Sequence, residues 1–278
     1  MPDVHTLSGV VRDSRDKDTL LACVRESGIC VVPEYAPMHE VREMRDACIA
    51  RVDVPVDTNF EDGSYRRADA YWGTAAAANE RVYHVDCFSE PAARVRHDPL
   101  LRQIASDYYG APHSVHVLIY ERHRHNDVPV RGFHVDTFEL STFKVMLYLN
   151  DVTLENGPTC YIPGTHVMNE LRRKKEFEWG PAVSPGDPSQ KPHLTNFTDE
   201  ELGELVDHQL PVVGPAGTLV LFDTWGVHRG LSPLPGRERH VLVNYYRKGA
   251  NLPRSDFGLD AQADYQRYHV DYKKYKAD

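Results

Sequence analysis

The sequence runs to 278 residues, 41% hydrophobic and 26% charged, with 41 acidic against 32 basic side chains and a net charge of −9. A chain of this length buries roughly 75% of its unfolded surface, and β-rich folds of this size commonly remain one domain. Its cations are scattered apart from Arg172-Arg173-Lys174-Lys175, which reads as a solvated face, so nucleic acid is not expected as a partner. Five widely spaced cysteines (Cys23, Cys30, Cys48, Cys87, Cys160) contain no C-x-x-C pair and read as free thiols in a reducing cytosol. The first residues have no apolar core of a signal peptide, and no run approaches the roughly 20 apolar residues that span a bilayer. A soluble cytoplasmic protein with no membrane partner is therefore expected, and Asn196-Phe197-Thr198 need not be a glycosylation site.

Asp16 to Ser27 reads as a short helix stopped by Gly28, and Ile29 to Val32 as a buried strand closed by Pro33. Met38, Val41, Met44 and Cys48 recur at three- and four-residue steps, which predicts an amphipathic helix over Pro37 to Arg51. The stretch from Val54 to Gly73 lacks a sustained period; its Arg66, Arg67, Tyr71 and Trp72 fit a surface loop or the border of a pocket. His97-Asp98-Pro99 opens a helix with Asp98 as N-cap and Pro99 at its first position, and Gly110 ends it. Ser114 to Glu121 alternates, with Val115, Val117 and Ile119 on one side of a strand and His116, Leu118 and Tyr120 on the other. His116, His123 and His125 lie close in sequence, but strand and loop histidines are more often structural, and they are left out of the metal set.

The chemistry centres on Gly132 to His166. His134-Val135-Asp136 heads a strand-like run, and residues i and i+2 of a strand point to one face, so an imidazole and a carboxylate converge. The missing histidine is best supplied by His228, and two imidazoles with one carboxylate form the donor set diagnostic of non-haem Fe(II) oxygenases. A second H-x-D, His84-Val85-Asp86, is the weaker candidate because no hydrophobic strand and Gly-Pro turn follow it. Phe143 to Leu149 reads as a buried strand containing one cation, Lys144.

After His166, Met168 to Leu210 is a polar excursion, read as an insertion that covers the substrate. Gly217 to Phe222 is a core strand delivering Trp225 and His228, with His240 to Tyr246 as its antiparallel partner. Ser232, Pro233, Pro235 and Gly236 supply turn chemistry. Folding about Pro233-Leu234 sets Arg239 opposite His228 on the neighbouring strand, about 5 Å away, where its guanidinium could clamp a metal-chelating dicarboxylate. The tyrosine- and lysine-rich end, Asp256 to Asp278, reads as a helix packed late or a dimer contact.

The chain resembles the phytanoyl-CoA dioxygenase (PhyH-like) group of Fe(II)/2-oxoglutarate oxygenases. The resemblance rests on His134-x-Asp136, the strand and Glu155-Asn156-Gly157-Pro158 turn running into Pro163-Gly164-Thr165-His166, and His228 with Arg239 eleven residues on. It implies a mainly β fold with flanking helices, a double-stranded β-helix (jelly roll, cupin-like), as one domain over residues 1–278 with a lid at about 168–210. It also implies Fe(II) on His134, Asp136 and His228, 2-oxoglutarate held by Arg239, and O2 as oxidant. Lys144 competes with Arg239 for the distal carboxylate or snorkels to solvent. The reaction implied is hydroxylation of an unactivated C–H bond in a small organic molecule, with release of succinate and CO2, by a monomer or homodimer. A ligating Asp136 disfavours halogenation, in which related enzymes have Gly or Ala at this position. Protein hydroxylation, a metal hydrolase and a non-catalytic jelly-roll binding module are the rivals. Tyr71, Trp72, Phe138 and Trp225 are candidate pocket aromatics.

Overall fold

The computed structural model describes residues 9–68, 79–125, 132–136, 142–167 and 196–248. Helix α1 (Lys17–Ser27) begins where the Asp16 carboxylate accepts the Thr19 N–H, and ends at Gly28 with φ 78°, a left-handed conformation that glycine adopts without strain. Strand β1 (Ile29–Val32) follows, then α2 (Met38–Val52), whose Val41, Met44, Cys48 and Val52 are buried. Next come β2 (Tyr65–Ala68), β3 (Asn79–Tyr83), α3 (Glu90–Arg96) and α4 (Pro99–Tyr109). The last of these is capped as expected by Asp98 and Gly110. The remaining elements are β4 (His113–Arg124), β5 (Thr142–Tyr148), β6 (Thr159–Tyr161), α5 (Asp199–Leu202), β7 (Leu210–Pro211), β8 (Leu219–Asp223), β9 (His228–Gly230) and β10 (Glu238–Lys248).

These strands build two antiparallel sheets, one of seven strands in the order β1-β8-β5-β10-β4-β3-β2 and one of three in the order β7-β6-β9. The jelly roll expected from the sequence is what forms. Strand periodicity divides the large sheet into two dry faces. Leu118 and Tyr120, Val145 and Leu147, Leu219 and Leu221, and Leu242 pack against the helices. Their alternating neighbours Met146, Tyr148, Val220, Phe222, Val241 and Val243 form a second cluster with Tyr161, Leu210 and Val212 from the small-sheet side. Among the described residues, no helix is long and apolar enough to cross a membrane.

Three strand-level expectations need correction. Strand β10 lies between β5 and β4, so it is not the partner of β8. His228 and Arg239 consequently occupy different sheets, because the Pro-rich turn between them carries the chain across the sandwich instead of closing a hairpin. In β4 the alternation breaks at a register shift opposite Tyr245/Tyr246, which moves Val115 to the helix-packed face.

The polar excursion is also shorter than expected at its end. Phe197 donates its N–H to Phe133 O at 2.7 Å, and Phe197 and Leu202 are buried with Phe133, Val135, Ile162 and Val227. Residues 168–195 lie outside the described residues, as do Tyr71, Trp72, Phe138 and the tyrosine-rich end.

Candidate metal centre

His134 and His228 are brought together by backbone. Each donates its N–H to the other's carbonyl oxygen, at 2.9 and 2.8 Å, so two short segments distant in sequence form one antiparallel bridge. Asp136 N–H donates to Thr224 O at 3.2 Å, fastening the carboxylate's segment to the turn that leads into β9. His228 then pairs with Tyr161 of β6 in the small sheet.

The side chains converge as the i, i+2 argument requires. His134 Nε2 lies 3.7 Å and His228 Nε2 3.6 Å from Asp136 Oδ1, with the imidazole centroids 4.3 Å apart. Among the described residues this is the one His/Cys/Asp/Glu cluster suited to a metal, its ligand atoms all within 4.8 Å of one another. Each imidazole places its Nδ1 against the carbonyl two residues earlier, His134 on Gly132 at 2.9 Å and His228 on Gly226 at 2.8 Å. A carbonyl accepts only, so each ring carries a proton on Nδ1 and presents Nε2 to Asp136. That orientation leaves the two Nε2 atoms as the ones a metal ion could reach.

Lys144, which the sequence left between two roles, reaches the same carboxylate: its Nζ lies 2.5 Å from Asp136 Oδ2, on a side chain only 12% exposed. It therefore does not snorkel. Its ammonium also lies 4.8 Å from the Tyr245 ring centroid and 5.9 Å from that of Phe222. Burial opposes charge on Asp136, but the Lys144 ammonium and the two imidazoles outweigh it and hold the carboxyl well below its ordinary range. Burial likewise opposes charge on Lys144, and Asp136 outweighs it to raise the amine.

Arg239 begins β10 on the inner face, opposite His123, and is buried. Its guanidinium donates to Gly157 O, and its Nε has no hydrogen-bond partner among the described residues. The Glu155-Asn156-Gly157-Pro158 turn thus has a structural purpose. Gly157 has φ 64°, and a Cβ there would lie 2.4 Å from Leu231 O, so only glycine lets this carbonyl sit beside the β9–β10 crossing. The guanidinium also reaches the small sheet, with Nη2 3.4 Å from where a Gly230 Cβ would stand. Gly230 is two residues beyond His228 on one strand face, a step of roughly 6.5 Å.

The other candidates resolve differently. His84 has φ 58° and precedes a 3-10 turn containing Asp86, whose carboxylate pairs with Arg96 at 3.4 Å. His123 binds Asn79 and Glu121, and His125 binds Pro233 O. Arg66 pairs with Glu80 at 2.9 Å. Trp225 is partly buried in the turn before His228. Sequence reasoning missed Asp223, whose carboxylate accepts from the phenols of Tyr108 and Tyr109 and the N–H of Trp225 at the base of that turn. No local signal marks it, since both phenols come from a distant helix.

The model of the phytanoyl-CoA dioxygenase (PhyH) family matches residues 24–241, a span that includes all of these groups. The chain belongs to that family. As a PhyH member it is an oxygenase-type enzyme dependent on iron and 2-oxoglutarate. No curated protein sequence matches it. Among solved structures, EctD from S. alaskensis with 2-oxoglutarate and 5-hydroxyectoine superposes with TM-score 0.60 at 18% identity, covering 86% of this chain and 79% of EctD. The epimerase SnoN in complex with Fe3+, alpha ketoglutarate and nogalamycin RO gives 0.59 at 18% identity, covering 84% and 83%. The carbocyclase SnoK from nogalamycin biosynthesis gives 0.56 at 18% identity, covering 82% of each chain. At these identities the likeness carries the PhyH fold and not a substrate.

Proposed function

We propose that this chain hydroxylates an unactivated C–H bond of a small organic molecule, with Fe(II) held by His134 Nε2, Asp136 Oδ1 and His228 Nε2. The observation that carries the proposal is the pairing of two Nδ1-anchored imidazoles with one carboxylate oxygen, with a buried guanidinium one strand step beyond His228. The residues fit the group. Three protein donors would leave the remaining positions of the ion for co-substrate and O2, and the Arg239 guanidinium stands beside Gly230, two residues beyond His228 on its strand.

Iron with 2-oxoglutarate and O2 supplies the oxidising power, with succinate and CO2 released. The protein supplies orientation. Gly132 O and Gly226 O fix the imidazole tautomers, and Thr224 O fixes the Asp136 backbone. Arg239 offers the fork that a terminal carboxylate fits, in a buried setting where a charged hydrogen bond is stronger than in water. Support for a small-molecule substrate comes from the solved neighbours, one of which carries nogalamycin RO and another 5-hydroxyectoine. The cytoplasm is the compartment we propose for this reaction.

The test is anaerobic loading with Fe(II) and 2-oxoglutarate, followed by O2 and a panel of small natural products and peptides, with succinate and products read by mass spectrometry. A product heavier by one oxygen atom, formed only with iron and lost in His134→Ala and His228→Ala, is the expected result. Ring closure or epimerisation without added oxygen would replace hydroxylation by the chemistry of the SnoK or SnoN type, and peptide turnover would replace the substrate class. No iron-dependent succinate at all would overturn the proposal.

A further inference from the structure

We infer that Lys144 is a positioning residue that makes Asp136 a one-oxygen ligand, holding its second oxygen away from the metal. The inference rests on the iron-binding role proposed above for His134, Asp136 and His228. The two carboxylate oxygens of Asp136 face different partners: Oδ1 lies 3.7 and 3.6 Å from the two imidazole Nε2 atoms, whereas Oδ2 lies 2.5 Å from Lys144 Nζ. A carboxylate so divided presents one oxygen to a cation between the imidazoles and cannot swing the other in without breaking the ion pair. A two-oxygen carboxylate would occupy a position that a bidentate keto acid or O2 needs, so the division matters for what else can bind.

The ammonium is itself held in place. Lys144 extends from the inner face of β5, where it is in register with Phe222 on one side and Tyr245 on the other. Both rings flank the amine, at 5.9 and 4.8 Å from centroid to Nζ, and cation–π attraction favours leaving it there. The same geometry argues against Lys144 as the grip for the far carboxylate of 2-oxoglutarate. Its amine already lies against the metal-binding residue itself, while the guanidinium of Arg239 stands further along, beside Gly230.

The experiment measures Mn(II) or Co(II) binding to the intact protein by calorimetry without O2, in wild type, Lys144→Met and Lys144→Arg. Circular dichroism and the unfolding midpoint of the metal-free proteins report folding. Loss of a group that orients a ligand typically weakens metal binding about 10–100-fold. That loss is expected in Lys144→Met, with partial recovery in Lys144→Arg and a changed Co(II) visible spectrum, while 2-oxoglutarate affinity at saturating metal falls less than the metal affinity. In an Asp136→Asn background Lys144→Met should then add nothing. Metal affinity within about twofold of wild type in folded Lys144→Met, or a selective loss of 2-oxoglutarate affinity, overturns the inference. Should Lys144→Met not fold, Lys144→Gln, which removes the charge but keeps a polar side chain, takes its place: a weakened metal affinity and changed Co(II) spectrum support the inference, wild-type values overturn it. The reading beneath it has its own control, because divalent metal binding unaffected by His134→Ala would remove the metal site whatever Lys144 does.

Discussion

Arg239 is a buried cation whose surroundings supply too little compensation. Its Nε lacks a partner among the described residues, and burial lowers its pKa from the ordinary value. A dianionic co-substrate would complete it. Arg239→Met is accordingly expected to weaken 2-oxoglutarate binding about 10–100-fold, the equivalent of about 1.5–3 kcal/mol for hydrogen bonds to a charged group. Metal affinity should change little. Titration of Mn(II) into the metal-free protein and then of 2-oxoglutarate into the saturated protein measures both, and an unchanged co-substrate affinity would mean that the acid binds elsewhere. At this scale the sequence was informative where chemistry follows from spacing. His134 and Asp136 converge as their i, i+2 spacing suggested, although His134 makes only isolated bridges and Asp136 lies in a bend, and His228 follows from the donor set it completes. Lys144 was visible as a cation in a buried strand, but its partner was not. Which oxygen a lysine reaches depends on rotamers and on rings from β8 and β10, neither of which leaves a mark in the local sequence.

The turn from Asp223 to His228 shows how one element serves several side chains of the cluster at once. Thr224 O holds the Asp136 N–H, Gly226 O holds the His228 ring, and Asp223 O accepts the Tyr161 hydroxyl at 3.1 Å. Gly226 is tightly enclosed: a Cβ there would stand 1.7 Å from the Tyr161 hydroxyl oxygen and 2.1 Å from its ring carbon. Gly226→Ala must therefore displace Tyr161 or the turn, with an expected cost of about 1–3 kcal/mol, the range for overpacking a close-packed site. Urea unfolding checks the stability, and parallel metal titration should show weaker binding because the His228 anchor moves with the turn. Retention of wild-type stability would mean that the turn relaxes without strain. Helix and strand boundaries were legible because caps and periodicity are local, as with Asp16 and Gly28 around α1. Strand order was not. Sequential strands neighbour one another roughly two-thirds of the time, and a jelly roll breaks that habit by carrying the chain from β9 across to β10 in the other sheet.

Across the whole molecule, the inner face of the large sheet carries buried titratable groups besides the metal cluster. Burial lowers His123 to about 4, against an ordinary 6.5, with Arg239 adding to the effect. Glu121 is opposed by burial but held well below its ordinary 4.5 by Arg81 and His123. Both shifts have the same sign for stability. The unfolded chain takes up the imidazole proton more readily, so stability is full above about pH 6.5 and is lost as pH falls toward 4; the Glu121 contribution is lost below about pH 4.5. Urea unfolding between about pH 7.5 and 4.5 should show a decline of about 2 kcal/mol from His123, and His123→Gln should flatten it. A flat profile in the wild type would mean that this imidazole is as easily protonated in the folded state as outside it.

The reciprocal backbone bridge between His134 and His228 has a consequence for metal choice. Two imidazole donors already joined by main chain lose little freedom on capturing an ion, and neither donor is shaped to reject one first-row dication in favour of another. Affinity should then climb the Irving–Williams series, with cobalt, nickel and zinc outcompeting ferrous iron at equal concentration. Which ion the enzyme carries is on this account decided by what the cell makes available while the chain folds, and protein purified in trace nickel or zinc would be fully folded and inert.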